Sequence, residues 1–353
     1  MRSLYPIPGN KGDRKYDSHL YPALTATAIA EPFMGAASRS ILYNHLPAYL
    51  GEINPAQRAI ALAIHNANRY VVGYLEAYGL FWSGCEHLKD RVLSYAGKEK
   101  SQTLLKKEIP EIYEELTKNW KEIASIVYKW MHGTQDPRLA GYYAFCIRAC
   151  FGNTMRLNPT GTRFNICWHV DKLLNADGYD PAQWVRKLQA IAWNPNVFDC
   201  WEDAISAVPN PESTYCLLDP PYMCSQSERM TPCYPNHSVT TKEGMDQTFA
   251  LAIDSLAAAL DRGFVNISVC NYFSDLLDAS IKQLAADAGY QLTAVLMGEC
   301  NTLGNSNGRR IHGDRVDKRL RPVEVIYQVT RAKKVQVGIE RDRFSFDQIP
   351  LFN

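Results

Sequence analysis

The residues best suited to chemistry are Asp219-Pro220-Pro221-Tyr222, which follow the apolar run Tyr215-Cys216-Leu217-Leu218. The two prolines fix φ and carry no N–H, so the turn is rigid and its carbonyls lack the usual neighbouring donors. A carboxylate, which only accepts hydrogen bonds, then stands with a fixed carbonyl and an aromatic face at the end of a short strand. That set suits a planar amine, and adenine carries one at N6. The amine's lone pair is delocalised into the ring. If Asp219 accepts one hydrogen and the Pro220 carbonyl the other, the nitrogen is drawn toward tetrahedral geometry with its lone pair aimed outward. This is electrostatic preorganisation toward charge that develops in the transition state. An electrophilic methyl in line with the lone pair could be displaced without a covalent enzyme intermediate or a metal, while Tyr222 stacks on the base.

A second motif, Glu31-Pro32-Phe33-Met34-Gly35-Ala36-Ala37-Ser38, follows a strand expected over 24–30 and leads into Arg39 to Tyr43. Its small residues let the backbone approach a nucleotide closely. Glu52 ends a second expected strand, 48–51, and lies about 20 residues beyond Glu31, the spacing at which α/β nucleotide folds place the acid that holds ribose hydroxyls.

Together the two motifs resemble the DNA adenine N6-methyltransferases of the Dam type, and the resemblance covers most of the chain. Pro8-Gly9-Asn10-Lys11 is similar to that family's element by the cofactor and target pocket, Glu31-Pro32-Phe33 and Gly35 to its cofactor loop, and Glu52-Ile53-Asn54 to its Asp-Ile-Asn. Glu202 and Asp203 stand where it has one acid beside the cofactor adenine, and either can be the counterpart. The resemblance implies S-adenosylmethionine as cofactor, held by Pro8, Gly9, Lys11, Glu31, Pro32, Phe33, Gly35, Glu52, Ile53, Glu202 or Asp203, and Asp219. Asp219, Pro220, Pro221 and Tyr222 are the implied catalytic residues. The chain departs from the pattern at Ala37, where the family has glycine, at Glu52, one methylene longer than Asp, and at Thr160, near where GATC-reading members carry arginine.

The segment from Cys150 to Asn165 resembles the family's DNA-reading hairpin, with a turn at Asn158-Pro159-Thr160-Gly161. A two-stranded ribbon fits the major groove, and Arg156, Asn158, Arg163 and Asn165 can make bidentate contacts to guanine or adenine. N6 is buried in a duplex, so the adenine would have to be flipped out. Thr160 is also assigned to this interface, as are Arg309 and Arg310, in a basic loop that reads either as a phosphate contact or as a solvated charged loop. Two other readings stay open. One is a same-fold enzyme acting on another amine: RNA adenine, cytosine N4 or a glutamine amide. Related enzymes begin the tetrapeptide with Ser for cytosine and Asn for glutamine, so Asp219 argues against both. The other is a catalytically inactive DNA-binding descendant.

The elements that must position these residues are legible in outline. Strands are expected at 24–30, 48–51, 197–200, 215–218, 264–269, 292–297 and 323–329, with helical apolar spacing from Ile60 to Tyr78, from Ile112 to Trp130 and over 247–260. The fold class is α/β: a Rossmann-like class I methyltransferase sheet with an antiparallel last strand, plus a mainly helical target-recognition insert with a β-hairpin. Residues 1–55 and 196–335 are assigned to the cofactor-binding catalytic domain, 56–195 to target recognition and 336–353 to a tail. Lys98, Lys100, Lys106 and Lys107 lie in a polar connection. In the tail, Gln348, Leu351 and Phe352 resemble the short peptides that dock into the bacterial sliding clamp.

The 353 residues are 46% hydrophobic and 21% charged with a net charge of +1, an ordinary globular composition whose nucleic-acid footprint must be a local patch. The ten cysteines include no Cys-x-x-Cys and form no ligand pattern with the eight histidines. Reduced structural thiols, no metal and a cytoplasmic location follow. The first twelve residues are polar and proline-broken, unlike a signal peptide, and no apolar run is long enough to span a bilayer.

Overall fold

The computed structural model describes residues 20, 25–35, 37–63, 65–133, 136–150, 162–164, 167–191, 193–221, 242–299 and 323–331. The chain runs β1 (Ala28–Glu31), α1 (Ser38–Leu42), β2 (Ala48–Gly51), then the helices α2 (Pro55–Ala61), α3 (Ala67–Trp82), α4 (Lys89–Leu93), α5 (Ser101–Glu108), α6 (Pro110–Gly133), α7 (Leu139–Ala149), α8 (Val170–Asp177) and α9 (Pro181–Ala190). It returns to β3 (Asn196–Phe198), α10 (Trp201–Ser206), β4 (Thr214–Leu218), α11 (Lys242–Arg262), β5 (Asn266–Tyr272), α12 (Asp275–Asp287), β6 (Tyr290–Glu299) and β7 (Val323–Arg331).

The seven strands form one sheet in the order β3-β2-β1-β4-β5-β7-β6. The pairs β2–β3, β1–β2, β1–β4 and β4–β5 are parallel, and β7 is antiparallel to both β5 and β6. This α/β arrangement is consistent with the class I methyltransferase sheet. From β1 the strand order proceeds one way to β2 and the other way to β4, so the crevice outside the C-terminal ends of β1 and β4 is the topological switch point, where open α/β sheets bind ligands. Glu31 closes β1 there, and Asp219 follows β4.

The central strands are apolar because both faces of the sheet are covered. Ala30, Cys216, Leu218, Ile267, Val269, Val325, Tyr327 and Val329 pack against α10, α11 and α12, while Ile29, Tyr215, Leu217, Cys270 and Ile326 pack on the opposite face with Leu20. The alternation 29/30 and 215/216/217/218 is the two-residue period of a strand. A third cluster starts at the β2 end of the sheet, with Met34, Ala37, Ile41 and Leu50, and continues without a break into the helices, through Phe81, Trp120, Phe145, Trp168 and Trp184 to Trp193.

Within the helices, α6 buries Leu116, Trp120, Ile123 and Val127, the expected stripe. The buried amide of Asn119 donates to the Phe81 carbonyl at 3.1 Å and the Ser83 carbonyl at 2.9 Å, tying α6 to the end of α3. The apolar spacing read as continuous from Ile60 to Tyr78 is two helices, α2 and α3. The expected stripe is also displaced: α3 turns Tyr70, Gly73, Tyr74 and Ala77 to the core, while Ala67, Val71 and Tyr78 are half-buried and Leu75 is 55% exposed. Lys106 and Lys107, expected in a connection, lie in the last turn of α5. Most of the expected hairpin at 154–166 lies outside the described residues. Just outside its bounds Cys150 and Trp168 form an antiparallel bridge, and His169 N–H donates to Ala149 at 2.9 Å. Gln102 accepts Val170 N–H at 2.7 Å and donates to the Trp168 carbonyl at 3.3 Å, while the Trp168 indole donates to Thr117 at 3.2 Å. Among the described residues no helix is long and apolar enough to cross a membrane.

Helices α3 and α7 touch backbone to backbone. A Cβ on Gly141 would stand 2.2 Å from the Tyr70 carbonyl oxygen, and one on Gly73 2.3 Å from that of Arg138. Gly79, on the same helix as Gly73, has no atom within 4 Å of such a Cβ. Gly141→Ala should therefore lower the unfolding free energy by about 1–3 kcal/mol, and Gly79→Ala should raise it by about 0.5–1 kcal/mol. Urea denaturation followed by circular dichroism reads both.

Candidate functional site

At the end of β1 the Glu31 side chain is 4% exposed. Its Oε1 accepts the Ser40 N–H at 2.6 Å, so the turn from residue 32 to 37 leaves the strand and α1 bonds back to its last residue. Pro32 cannot continue the ladder. Gly35 and Ala37 both take left-handed φ, 50° and 49°. Gly35 presents bare backbone, since a Cβ there would meet only the Phe33 carbonyl, at 3.9 Å. Ala37 is fully buried and holds the strained conformation with a side chain. A glycine would hold the same conformation without that strain.

The second acid is brought to the same crevice by a close approach. Gly51 ends β2, and a Cβ on it would lie 2.3 Å from the Pro32 carbonyl oxygen, 2.8 Å from that of Cys200 and 2.9 Å from the Trp201 Cα. Met34 N–H donates to the Gly51 carbonyl at 2.7 Å, and Glu52 N–H to that of Phe198 at 3.1 Å. The half-buried Glu52 carboxylate accepts the Asn54 N–H at 2.8 Å and a bond from the Gly35 backbone. Asn54 caps α2 through the Ala56 N–H, with Pro55 in the first turn. From α2, Arg58 donates to the carbonyls of Glu52 at 2.6 Å and Ile53 at 3.1 Å and pairs with Asp199 at 3.2 Å. Ile53 beside it is 48% exposed, a large apolar surface of the kind a purine ring would cover.

The third edge comes from β3 and α10. Phe33 of the β1 turn stacks on Trp201, with ring centroids 6.3 Å apart and planes 27° off parallel. Glu202 and Asp203 are both exposed in the first turn of α10. Asp219 is half-buried and Pro220 and Pro221 are buried. Asp219 is close enough to Glu31 for its charge to be felt there.

Burial pushes the carboxyls of Glu31 and Glu52 up to about 7 each. For Glu31, desolvation outweighs the opposing Ser40 N–H and Arg39, with Asp219 adding to the rise. For Glu52, desolvation outweighs the N–H groups of Asn54 and Gly35 and the Arg58 charge.

The structure thus brings together Glu31, Pro32, Phe33, Gly35, Glu52, Ile53, Glu202, Asp203, Asp219, Pro220 and Pro221 around the ends of β1–β4. Pro8, Gly9, Lys11, Tyr222, Arg156, Asn158, Thr160, Asn165, Arg309, Arg310, Gln348, Leu351 and Phe352 lie outside the described residues, and Arg163 is exposed. Sequence reasoning missed Gly51, Arg39, Arg58 and Asp199. The Asn54-Pro55 helix-start signal could have placed Arg58 one turn into a helix behind Glu52; the others carry no local signature. A cleft of about 580 Å³ adjoins this edge, lined by Ile53, Arg58, Val197 and Asp199 and by Trp130 and His132 of α6, without reaching Asp219. Among the described residues no cluster of His, Cys, Asp and Glu could hold a metal. No protein-family model matches the chain, and no curated protein matches it significantly.

Two outcomes follow from this geometry. Ala37→Gly should change stability by less than about 1 kcal/mol, because relief of the ~1–2 kcal/mol left-handed strain is offset by the added unfolded-state entropy and the lost burial of the Ala37 methyl; urea denaturation reads it. The native state holds protons on Glu31 and Glu52 between pH 4.5, the ordinary carboxyl value, and about 7, where the unfolded chain has released them. These protons stabilise the ligand-free protein fully below pH 4.5, and that stabilisation is lost as pH rises to about 7. It amounts to on the order of 3 kcal/mol for Glu31. Glu31→Gln should flatten the decline in chemical denaturation measured across pH 4.5–8.

Proposed function

We propose that this chain transfers a methyl group from S-adenosylmethionine to N6 of adenine in double-stranded DNA, at a specific sequence and with the base flipped out, as a Dam-type methyltransferase. The observation that carries the reading is the pairing of Asp219-Pro220-Pro221 with the Glu31 turn at the switch point of a class I sheet. The site chemistry fits the cofactor. Glu52 offers a carboxylate to ribose hydroxyls, Gly35 a backbone bare of side chain, and Ile53 an apolar face, while Glu31 and Asp219 supply negative charge to a cationic ligand. When bound, S-adenosylmethionine supplies an electrophilic methyl. Asp219 and the Pro220 carbonyl hold the two N6 hydrogens, so that the nitrogen lone pair is free to attack. No metal or covalent enzyme intermediate is required.

In this reading residues 1–55 and 196–335 bind cofactor and carry the chemistry, 56–195 recognise DNA, and Arg156, Asn158, Arg163 and Asn165 read base edges. The tail peptide Gln348–Phe352 would dock on a replication clamp, a proposal that binding of a synthetic 343–353 peptide tests separately.

Asp219→Ala should lower tritiated methyl incorporation into DNA by well over a hundredfold without loss of the melting transition. A loss within about tenfold, a barrier change of only about 1.4 kcal/mol, would refute the catalytic assignment. Arg163→Ala should broaden the methylated motif, read by methylation-sensitive sequencing, more than it weakens nonspecific DNA binding.

A further inference from the structure

The cleft of about 580 Å³ beside Ile53 has no role in the reading above, and it has the size of a small-molecule site. Its lining has two sources. Ile53, Val197 and Asp199 belong to the cofactor edge, whereas Trp130 and His132 come from the last turn of α6, inside the stretch assigned to target recognition. Arg58 ties the cleft to the site. It donates to the Glu52 and Ile53 carbonyls at 2.6 and 3.1 Å and pairs with Asp199 at 3.2 Å, so the acid suited to ribose, the exposed apolar surface and the Asp199 carboxylate are held around one guanidinium. The cleft does not reach Asp219, where the methyl would react. A cofactor with its ribose at Glu52 and its sulfonium toward Asp219 therefore has its remaining end, the purine, at the cleft.

The α6 residues are fixed before any ligand arrives. The His132 ring lies on that of Tyr128, with centroids 4.3 Å apart and planes 30° off parallel, and its Nδ1 is 2.8 Å from the Tyr128 carbonyl oxygen. A carbonyl only accepts, so Nδ1 donates and Nε2 of the neutral ring is left as an acceptor. Trp130 stands edge-on to Tyr142 at 4.9 Å with the Arg138 guanidinium 5.3 Å from its ring, and Arg138 is itself held by Asp136 at 2.8 Å and Glu76 at 3.3 Å. Apolar and aromatic surface is thus combined with two acceptors, the Asp199 carboxylate and His132 Nε2. That set matches adenine, whose exocyclic amine donates two hydrogens, and not hypoxanthine, which carries an oxygen there.

We propose that the target-recognition insert supplies part of the cofactor's purine seat: Trp130 and His132 wall the cleft beside Ile53, and His132 Nε2 accepts a hydrogen of the adenine amine. The inference rests on the cofactor reading of the crevice. Cofactor recognition is then divided between the sheet and the insert, and residues 56–195 bind more than DNA.

The test is calorimetric titration at pH 8 of S-adenosylhomocysteine and its inosine counterpart, S-inosylhomocysteine, against wild type, His132→Phe and Ala59→Trp. His132→Phe keeps a ring on Tyr128 and removes the acceptor. Ala59→Trp fills the cleft, which Ala59 also lines. Leu62→Phe fills the same cleft should the tryptophan protein not fold, and melting establishes that each variant is folded. Wild type should bind the adenosyl compound about tenfold more tightly than the inosyl one. His132→Phe should weaken adenosyl binding by about three- to tenfold, the loss of one hydrogen bond, and leave inosyl binding unchanged. Filling the cleft should weaken both by roughly tenfold or more. No preference in the wild type, an equal change for both ligands in His132→Phe, or unaltered affinity in the filled-cleft variant would overturn the proposal and leave the cofactor reading intact. No binding of S-adenosylhomocysteine by the wild-type chain would overturn both.

Discussion

The site depends on one steric constraint, the meeting of three chain segments at Gly51. The Pro32 carbonyl from the β1 turn and the backbone of Cys200 and Trp201 after β3 converge on the space a side chain would fill. That approach sets how close the Glu31 turn, the Glu52 loop and α10 lie. The Met34–Gly51 and Glu52–Phe198 hydrogen bonds and the Phe33–Trp201 stack are possible at that separation. Side chains drawn from far apart in the sequence thereby share one crevice, and the reversal of strand order at β1 leaves that crevice open above them.

Two of those side chains are acids held where an apolar core is usual. Burial disfavours their ionised forms, yet each keeps backbone donors aimed at the carboxylate, the arrangement of a site organised for a ligand before it arrives. Ala37 adds local strain to the same turn. Left-handed backbone and buried acids coincide in this short stretch, unlike at Lys100 before α5, the other non-glycine residue at positive φ among the described residues.

What the sequence made legible follows the same division. Strand β2 lies over the expected residues, and β4 and β7 extend the apolar runs that announced them, because buried strands are read directly from composition. β1 was expected to end at Ala30, but Glu31 remains in the ladder opposite Leu50, an acid that no strand propensity would place there. Asp219-Pro220-Pro221 and both acids were legible because their types and spacing are local. Gly51, Arg39 and Arg58 were not, since what matters about them is which distant backbone or charge they meet. The division of the Ile60–Tyr78 spacing into two helices was hidden for a related reason: Gly73 and the tyrosines Tyr70 and Tyr74, which α3 buries, carry no weight in an apolar period, so the aliphatic residues suggested one continuous stripe.

The bridge between Cys150 and Trp168 has a bearing on how this chain can change over generations. The ends of the intervening stretch are fastened by their own hydrogen bonds, by Gln102 and by the burial of Trp168 against Phe81 and Tyr113. Those fastenings belong to the helices. Phe164 and Cys167, within that stretch, pack on the same helical core, so drift at its borders and at these two positions is felt by the scaffold that every descendant must inherit.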